Sequence, residues 1–318
     1  MWIILAFISA MLLGCYDVCK KISLKGNAVI PVLLLNTFFC SCIFLPLVVL
    51  SAQGSISTGS LLYIPPIEDA SIHLYIIGKS AIVLMSWICA YYGLKHLPLT
   101  IASPINATRP ILVLLGAIFI FGERLNAWQW AGVLISIIAF ALISRSGKKE
   151  GISLKNSIWI WMVIAGTIFG AISGLYDKFL VGSPDNGPGL FGIWPNRGFN
   201  KMIIQSWYNF YQVLMMGLVC LICWAPKRHR LKHPFHWKWQ IPLISIFLSV
   251  ADFCYFYALS YPDALISVTS LVRRSSVLVS FLCGWILFKE KNIKSKAVDL
   301  LFVIIAMALL WIGSQRSN

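Results

Sequence analysis

Charged residues are scarce in this sequence, and the scarcity excludes a soluble protein. Asp, Glu, Lys and Arg make up only 12% of the 318 residues, whereas 59% are hydrophobic and the mean hydropathy is +0.81. A soluble domain averages about 25% charged and about 45–50% apolar residues, because its core has to be covered by polar surface. The chain is therefore expected to lie in lipid.

The sequence also lacks the short motifs of several enzyme classes. It contains no GxxxxGK[ST] phosphate-binding segment and no HExxH zinc-protease segment, so neither a nucleotide-driven pump nor a metalloprotease is expected. No His shares an apolar run with Ser103, Ser267 or Ser276, the serines that could be imagined as nucleophiles. We therefore predict no enzyme activity, no cofactor and no metal site.

Cysteine and basic residues occur where membrane proteins place them. None of the nine Cys residues lies in a connection between apolar runs, which excludes a disulfide-linked extracellular scaffold, and the Cys220–Cys223 pair is interpreted as core packing. The formal net charge of +15 does not indicate nucleic-acid binding, because the basic residues flank apolar runs. Residues 1–15 lack the basic start of a signal peptide and are assigned to the first helix.

Ten apolar runs are long enough to cross a bilayer, which takes about 20 residues. The runs are 2–22, 29–50, 72–94, 98–121, 128–144, 157–181, 201–224, 238–260, 263–288 and 297–313. The sequence therefore predicts an all-α integral membrane protein of ten transmembrane helices. Lys and Arg are concentrated in the connections that follow odd-numbered runs, which predicts that these connections are cytoplasmic and that both termini lie outside. The expected location is the bacterial inner membrane.

The two halves of the chain resemble each other. Gly14-Cys-Tyr16-Asp17 matches Gly174-Leu-Tyr176-Asp177, and Arg109 follows Tyr92 at the same distance as Arg274 follows Tyr257. We predict two five-helix repeats, residues 1–145 and 157–318, joined by a connecting loop at 146–156. Because five is odd, the second repeat starts from the opposite side of the membrane. Such inverted repeats are typical of secondary transporters, with the substrate site near the midplane.

The closing segments of the two halves carry a resemblance to a known family. The first reads Phe121-Gly-Glu123-Arg124-Leu125, followed by Trp130-Ala-Gly132, and the second reads Phe288-Lys-Glu290-Lys291. With these segments the sequence resembles the EamA-like branch of the drug/metabolite transporter superfamily over nearly its whole length. The resemblance implies a transporter, and more narrowly an exporter, of a small metabolite. The second copy departs from the pattern, since Lys289 follows Phe288 and Asp299 stands where the first copy has Gly132.

Arg109 is the strongest candidate for a substrate contact. It lies in the middle of its run, in Pro104-Ile-Asn106-Ala-Thr108-Arg109-Pro110, where two prolines remove backbone donors and favour a kink or a local opening. A charge at mid-helix costs about 2.5–3.5 kcal/mol on insertion, so it needs a partner, a wet cavity or a ligand. A guanidinium beside Asn106 predicts a midplane site for an anion or carboxylate. The alternative is structural pairing with an Asp on a neighbouring helix.

Arg274 occupies the equivalent position in the second repeat and is the second predicted anion contact. Its neighbour Arg273 points about 100° away around a helix and is expected to pair with Asp252 or Asp263. Lys79 has two open interpretations, as a substrate ligand or as a partner of Asp252.

Two pairs of polar residues are related by the repeat. Asp17 and Asp177 are candidates for proton coupling, because a carboxylate in a low dielectric readily takes up a proton; for Asp17 the alternative is a salt bridge with Lys20 or Lys21, one helical turn away. Asn209, the counterpart of Asn36, is either a substrate contact or a hydrogen-bonding residue between helices.

Glu123 and Glu290 end the fourth helix of each repeat. They are interpreted as anchors at the membrane boundary, with a gating role as the alternative.

The sequence leaves two functions from different classes open. The leading hypothesis is a secondary transporter of a small solute, with alternating access to a midplane site between the repeats. The alternative is an intramembrane enzyme acting on a lipid or an isoprenoid-linked substrate, for which Glu68-Asp69 with nearby His73 is the only acidic cluster. The partners expected are the solute and membrane lipid but no nucleic acid, and the oligomeric state is left open, a homodimer included.

Overall fold

The computed structural model describes residues 1–96, 105–106, 108–145, 158–184, 189–226, 234–276, 279 and 293–315. The helices of this part of the chain are α1 (Trp2–Leu24), α2 (Val29–Ala52), α3 (Ser71–His96), α4 (Arg109–Phe121), α5 (Ala127–Arg145), α6 (Ile158–Val181), α7 (Lys201–Val219), α8 (Gln240–Leu259), α9 (Ile266–Arg274) and α10 (Ile293–Gln315). A π-helical turn, Cys220–Trp224, extends α7. Apart from an isolated bridge between Leu190 and Trp194, these residues form no β-structure.

Six of the described helices are long and apolar enough to cross a membrane, by length and composition: 2–24, 29–52, 71–90, 158–181, 201–224 and 240–259. Three shorter apolar helices cover 109–121, 127–139 and 301–313. Each overlaps a predicted run, although 109–121 covers only the second half of the run 98–121. The all-helical fold agrees with an integral membrane protein, whereas the total of ten crossings stays a prediction. The predicted connecting loop 146–156 lies outside the described residues.

Local sequence explains where several helices begin and end. The carboxylate of Asp69 accepts hydrogen bonds from the backbone N–H (2.8 Å) and Oγ (2.5 Å) of Ser71, the first residue of α3, and these bonds hold the pKa of Asp69 below its usual range. The side chain of Asn200 accepts from the N–H of Met202 and caps α7. α4 ends at Gly122, whose φ of 61° is in the left-handed region that favours glycine.

Most close helix pairs join the first half of the chain to the second. α1 packs along α8, α3 along α6, α2 along α7 and α5 along α10, while α4 contacts both α6 and α9. Small residues allow these approaches: a Cβ added to Gly166 of α6 would lie 2.9 Å from the backbone nitrogen of Ala90 in α3. Side-chain hydroxyls add hydrogen bonds across the pairs, from Ser9 to the carbonyl of Ala251 and from Ser86 to that of Gly166, both 2.7 Å long.

The cysteines described by the structure are free thiols. Cys220 is buried as expected, but Cys223 is exposed on the surface of the bundle. The prediction of core packing is therefore wrong for Cys223, because the π-helical turn that contains both residues directs only one of them inwards.

Candidate functional site

Arg109 stands at the start of α4, in the interior of the bundle. Pro110 follows it in the first turn, where a missing N–H costs the helix nothing. Its guanidinium donates to the carbonyl oxygen of Gly170 in α6 at 2.7 Å. The approach needs a glycine, because a Cβ on residue 170 would lie 2.8 Å from the guanidinium carbon.

Asn106 lies beside the same part of α6. Its side-chain oxygen accepts a hydrogen bond from the hydroxyl of Thr167 at 3.1 Å, and Thr167 is one turn before Gly170. The predicted pair Asn106 and Arg109 is thus brought together on α6. The sequence did not identify α6 as the surface that holds them.

Lys79 is buried and pairs with Asp177 rather than with Asp252. The ammonium of Lys79 contacts the Asp177 carboxylate, and the two side chains are 3% and 7% exposed. The rings of Tyr208 and Phe256 lie 4.7 and 4.8 Å from the same ammonium, within range of a cation–π interaction. Of the two interpretations of Lys79, the pair with Asp252 is wrong, because helix packing sets α3 against α6, which carries Asp177.

Asp252 pairs instead with Arg273, one of the two partners expected from sequence. The guanidinium donates to the carboxylate at 2.7 Å and lies 3.9 Å from the ring centre of Tyr255. Both charged side chains are partly exposed, at 19% and 17%. The Arg273–Asp252 pair is therefore only partly enclosed by the bundle.

Arg274 of α9 and Asp17 of α1 lie near each other. α1 approaches the end of α9 closely, since a Cβ on Gly14 would lie 2.9 Å from the carbonyl oxygen of Ser276. Lys20 and Arg274 are the cations that act on the Asp17 carboxylate. Asp17 is exposed, whereas Tyr16 and Val18 beside it are buried.

Asn209 takes part in a buried polar network of α2, α7 and α8. Its amide donates to the carbonyl of Gln205 at 2.8 Å, and its own carbonyl accepts from Ser41 of α2 at 2.9 Å. Asn36, its repeat counterpart, accepts through Oδ1 from Ser245 of α8 at 3.0 Å. The side chain of Asn36 thus joins α2 to α8, which is the structural alternative, whereas the side chain of Asn209 bonds within α7 and only its backbone carbonyl oxygen reaches α2.

The same network contains buried polar atoms without a partner among the described residues: Oε1 of Gln205, Nε2 of Gln212 and Oγ of Ser249. Buried polar atoms are normally satisfied, so these three atoms are candidate contacts for a polar solute. Gln205 and Ser249 were missed in the sequence, although Gln205 lies one turn before Asn209 on the same helix. The described residues hold no cluster of side chains suited to a metal ion.

Comparison with protein families identifies the family to which this chain belongs. The model of the EamA-like transporter family matches residues 1–145 and again residues 199–312. The chain belongs to the EamA-like transporter family. The EamA resemblance recognised in the closing segments is therefore confirmed, and the protein is a multi-pass membrane transporter of the drug/metabolite type.

Individual relatives of this EamA-like protein are distant. It is 21% identical to an S-adenosylmethionine uptake transporter of Rickettsia prowazekii (strain Madrid E) over 285 residues, 88% of this chain and 82% of the relative. It is 27% identical over 145 residues to an uncharacterised transporter of Bacillus subtilis (strain 168), 43% of this chain and 46% of that protein. The chain also superposes on a protein of known crystal structure, with a TM-score of 0.69 and 13% sequence identity. The alignment covers 100% of this chain and 98% of the other chain, and it supports the fold alone.

Two of the interior cations of this EamA-like protein form ion pairs with an acidic side chain. Lys79 pairs with Asp177 and Arg273 with Asp252, while Asp17 is the acid that lies near Arg274. Within the described part of the chain, Arg109 forms no ion pair, and its one hydrogen bond goes to a backbone carbonyl. Its positive charge is therefore available to an anionic ligand.

Glu123 lies at the end of α4, away from Arg109, and contacts the start of α9. It accepts hydrogen bonds from the N–H and hydroxyl of Ser267 and from the N–H of Ile266. Glu290 lies outside the described residues.

Proposed function

We propose that this EamA-like transporter is a secondary carrier that binds a small anionic or zwitterionic solute at Arg109, midway through the membrane. The observation that carries the proposal is the guanidinium of Arg109, which is held inside the bundle by Gly170 and has no ion-pair partner in the described residues. A guanidinium at membrane depth is costly unless it is neutralised. A carboxylate or phosphate of the solute would neutralise it through charge-assisted hydrogen bonds.

The helix pairing supports an inverted five-plus-five repeat, residues 1–145 and 157–318. In such a repeat, α1 to α5 correspond in order to α6 to α10. Exchange of each helix for its counterpart turns the α1–α8 pair into α6–α3 and the α4–α6 pair into α9–α1, and all four pairs are in close contact. The hydrogen bonds from Ser9 to Ala251 and from Ser86 to Gly166 lie in the first two of these pairs. In such an arrangement access alternates when one group of helices rocks against the other.

Helix interruptions support a site at the level of the two arginines. α4 begins at Arg109, and α9 ends at Arg274, the corresponding position of the other half. Irregular backbone at membrane depth is tolerated where it is buried in protein or lines a cavity, and interrupted helices form the sites of many carriers. The start of α4 also contributes the positive end of its dipole to an anion.

The solute class and direction follow from different observations. The name of the Rickettsia relative says that it takes up S-adenosylmethionine, a solute with a carboxylate that Arg109 could bind, so this compound is the first candidate here. Export is our expectation from the family resemblance, and uptake is what the relative's name states of that protein. The bacterial inner membrane and external termini remain part of the proposal, supported by the distribution of basic residues.

Proton coupling is proposed at Asp17 and Asp177. Asp177 holds Lys79 by an ion pair, so protonation of Asp177 would release the ammonium and change the charge of the site. Asp17 is exposed, with Arg274 nearby. The solute gradient alone is the other source of driving force.

The intramembrane enzyme receives less support from the contacts. Of its candidate groups, Asp69 caps α3 through Ser71, and His73 is hydrogen-bonded through Nδ1 to the hydroxyl of Tyr211 at 2.8 Å. Neither faces the interior charges.

Transport into proteoliposomes tests the proposal. Vesicles preloaded with unlabelled S-adenosylmethionine should accumulate the labelled compound by exchange, and vesicles with amino acids, nucleotides or organic acids should be tried in parallel. A carrier exchanges solute without changing it, so the accumulated label should be chemically intact. Chemically altered label would support the enzyme instead. Accumulation of the label in intact cells, compared with accumulation in inverted membrane vesicles, would give the direction of transport.

A further inference from the structure

The carboxylate of Glu123 joins the two halves of the chain at one end of the bundle. Oε1 accepts from the N–H of Ile266 at 2.8 Å, and Oε2 accepts from the hydroxyl of Ser267 at 2.6 Å and from its N–H at 3.3 Å. Ile266 and Ser267 are the first residues of α9 and are 1% and 0% exposed. Glu123 follows α4 directly, so the contact ties the end of α4 to the beginning of α9.

The start of α9 cannot be capped by its own sequence. Leu265 occupies the N-cap position and has no side-chain acceptor, and the first turn contains no acidic residue. The first N–H groups of any helix need external acceptors, and a carboxylate at this end also interacts favourably with the helix dipole. Glu123, which precedes Ile266 by 143 residues, supplies both the hydrogen-bond acceptor and the negative charge.

A buried lysine completes the joint. Lys178 of α6 is 8% exposed and donates to the carbonyl oxygen of Ala264, just before α9. Glu123 and Asp263 are the acids that act on its ammonium. The Glu123 carboxylate thus lies between a helix start and a cation, and three elements, α4, α6 and α9, meet at one polar point.

An apolar layer separates this joint from Arg109. α4 and α6 run side by side from the Arg109–Gly170 contact towards Glu123 and Lys178, and a Cβ on Gly116 would touch Leu175 halfway along. We call this layer the apolar plug; it consists of Val113, Ala117, Phe121, Leu175, Phe179 and Ile266, all buried. A solute leaving Arg109 towards this end has to pass the plug, which requires α4 and α9 to separate.

We propose that Glu123 is the latch that keeps this end of the solute pathway closed. The inference rests on the proposed carrier function. Separation of α4 from α9 breaks the three hydrogen bonds to Ile266 and Ser267 and exposes the plug to water. When the helices return, the hydrogen bonds form again. The eight residues from Ile266 to Arg273 span about 12 Å along α9, so this helix links the Glu123 contact to the charged site.

Cysteine accessibility in the purified, reconstituted full-length protein tests the latch without a solute. Ala117, which is 0% exposed in the plug, is replaced by Cys, and a charged, membrane-impermeant maleimide is applied. Peptide mass spectrometry reads the modification at residue 117 alone, so the nine native cysteines do not interfere. Ala139→Cys on α5, equally buried but in a different hydrophobic cluster from the plug, serves as the matched site.

The latch predicts that Glu123→Gln raises the rate of modification at Ala117→Cys by about tenfold, since charge-assisted bonds to the start of α9 are lost and the open population grows. Ala139→Cys should be unchanged, as should both sites in Glu68→Gln, which alters an exposed loop glutamate. If Glu123→Gln does not fold, Ser267→Ala removes one donor and should raise the rate at residue 117 by about threefold.

Two results overturn the latch. One is an unchanged rate at residue 117 in a folded Glu123→Gln or Ser267→Ala protein. The other is an equal increase at residues 117 and 139, which would indicate general loosening. Either result would leave solute binding at Arg109 intact, so failure of the latch is distinguishable from failure of the carrier.

Discussion

The ammonium of Lys79 and the carboxylate of Asp177, 98 residues apart in the chain, form a buried ion pair between α3 and α6. The pair lies at the contact of two helices that belong to different halves, and the rings of Tyr208 and Phe256 flank its cation. A buried pair is costly to break from one side only, because the remaining charge is left without a partner. The Lys79–Asp177 contact therefore couples α3 to α6.

Removal of either partner alone should destabilise the protein strongly. We expect Lys79→Met or Asp177→Asn to lower the free energy of unfolding by about 3–5 kcal/mol, and the double variant to lose clearly less than the sum of the two. Denaturant unfolding of the detergent-solubilised protein would measure this double-mutant cycle. Glu68→Gln, in an exposed loop, provides the control for a lost charge. Additive effects of the two substitutions would contradict a direct coupling of Lys79 to Asp177.

Gly170 should govern the position of Arg109. A methyl group at residue 170 would lie 2.8 Å from the guanidinium carbon, which is the far end of a flexible side chain, so Gly170→Ala should fold and displace the guanidinium. We expect the affinity for a stabilising anionic solute to fall by about tenfold, or about 1.4 kcal/mol. Isothermal titration of the purified variant would measure the loss.

Gly174→Ala is the matched control for this prediction. It lies one turn further along α6, and its added Cβ would meet its nearest neighbours at 3.9 and 4.0 Å, an ordinary contact distance. Its affinity should stay close to that of the unaltered protein. Equal losses in Gly170→Ala and Gly174→Ala would indicate that helix packing, rather than the position of Arg109, controls binding.

The helices could be predicted from the sequence because lipid imposes a simple rule. An apolar run of about 20 residues is satisfied by a helix, and the predicted runs 2–22, 29–50 and 201–224 differ by at most two residues from the candidate spans 2–24, 29–52 and 201–224. The opening near Pro110 could also be anticipated, since proline removes a backbone donor. α4 accordingly begins at Arg109.

The partners of the charged residues could not be predicted, because they depend on which helices pack together. Asp177 and Lys178 looked like the end of an apolar run, near water. The following segment returns over α6, however, with the N–H groups of Arg197 and Phe199 bound to the carbonyls of Phe179 and Leu180. Asp177 and Lys178 are therefore 5% and 8% exposed, and their partners come from α3 and from the start of α9.

Glu123 illustrates the same limit at the end of a helix. Its adjacent Arg124 favoured a boundary anchor, and nothing in the local sequence pointed to Ser267. The one available signal lay elsewhere, in the missing N-cap acceptor of α9 at Leu265. The start of α9 in one repeat lacks a cap, and Glu123 ends a helix in the other. The sequence alone does not show that the two lie close together, so their contact could not be predicted from it.

The most direct test of the account is the thermal unfolding of the purified protein with candidate solutes, compared with Arg109→Gln and Arg124→Gln. The panel contains S-adenosylmethionine, amino acids, nucleosides, sugar phosphates, organic acids and quaternary amines, since a bound ligand stabilises the folded state according to its occupancy. Arg124 is exposed and outside the site, so its variant controls for a lost positive charge. The account predicts that solutes with an anionic group raise the unfolding temperature of the unaltered protein and of Arg124→Gln but not of Arg109→Gln. An equal rise in Arg109→Gln, or stabilisation by quaternary amines alone, would contradict it.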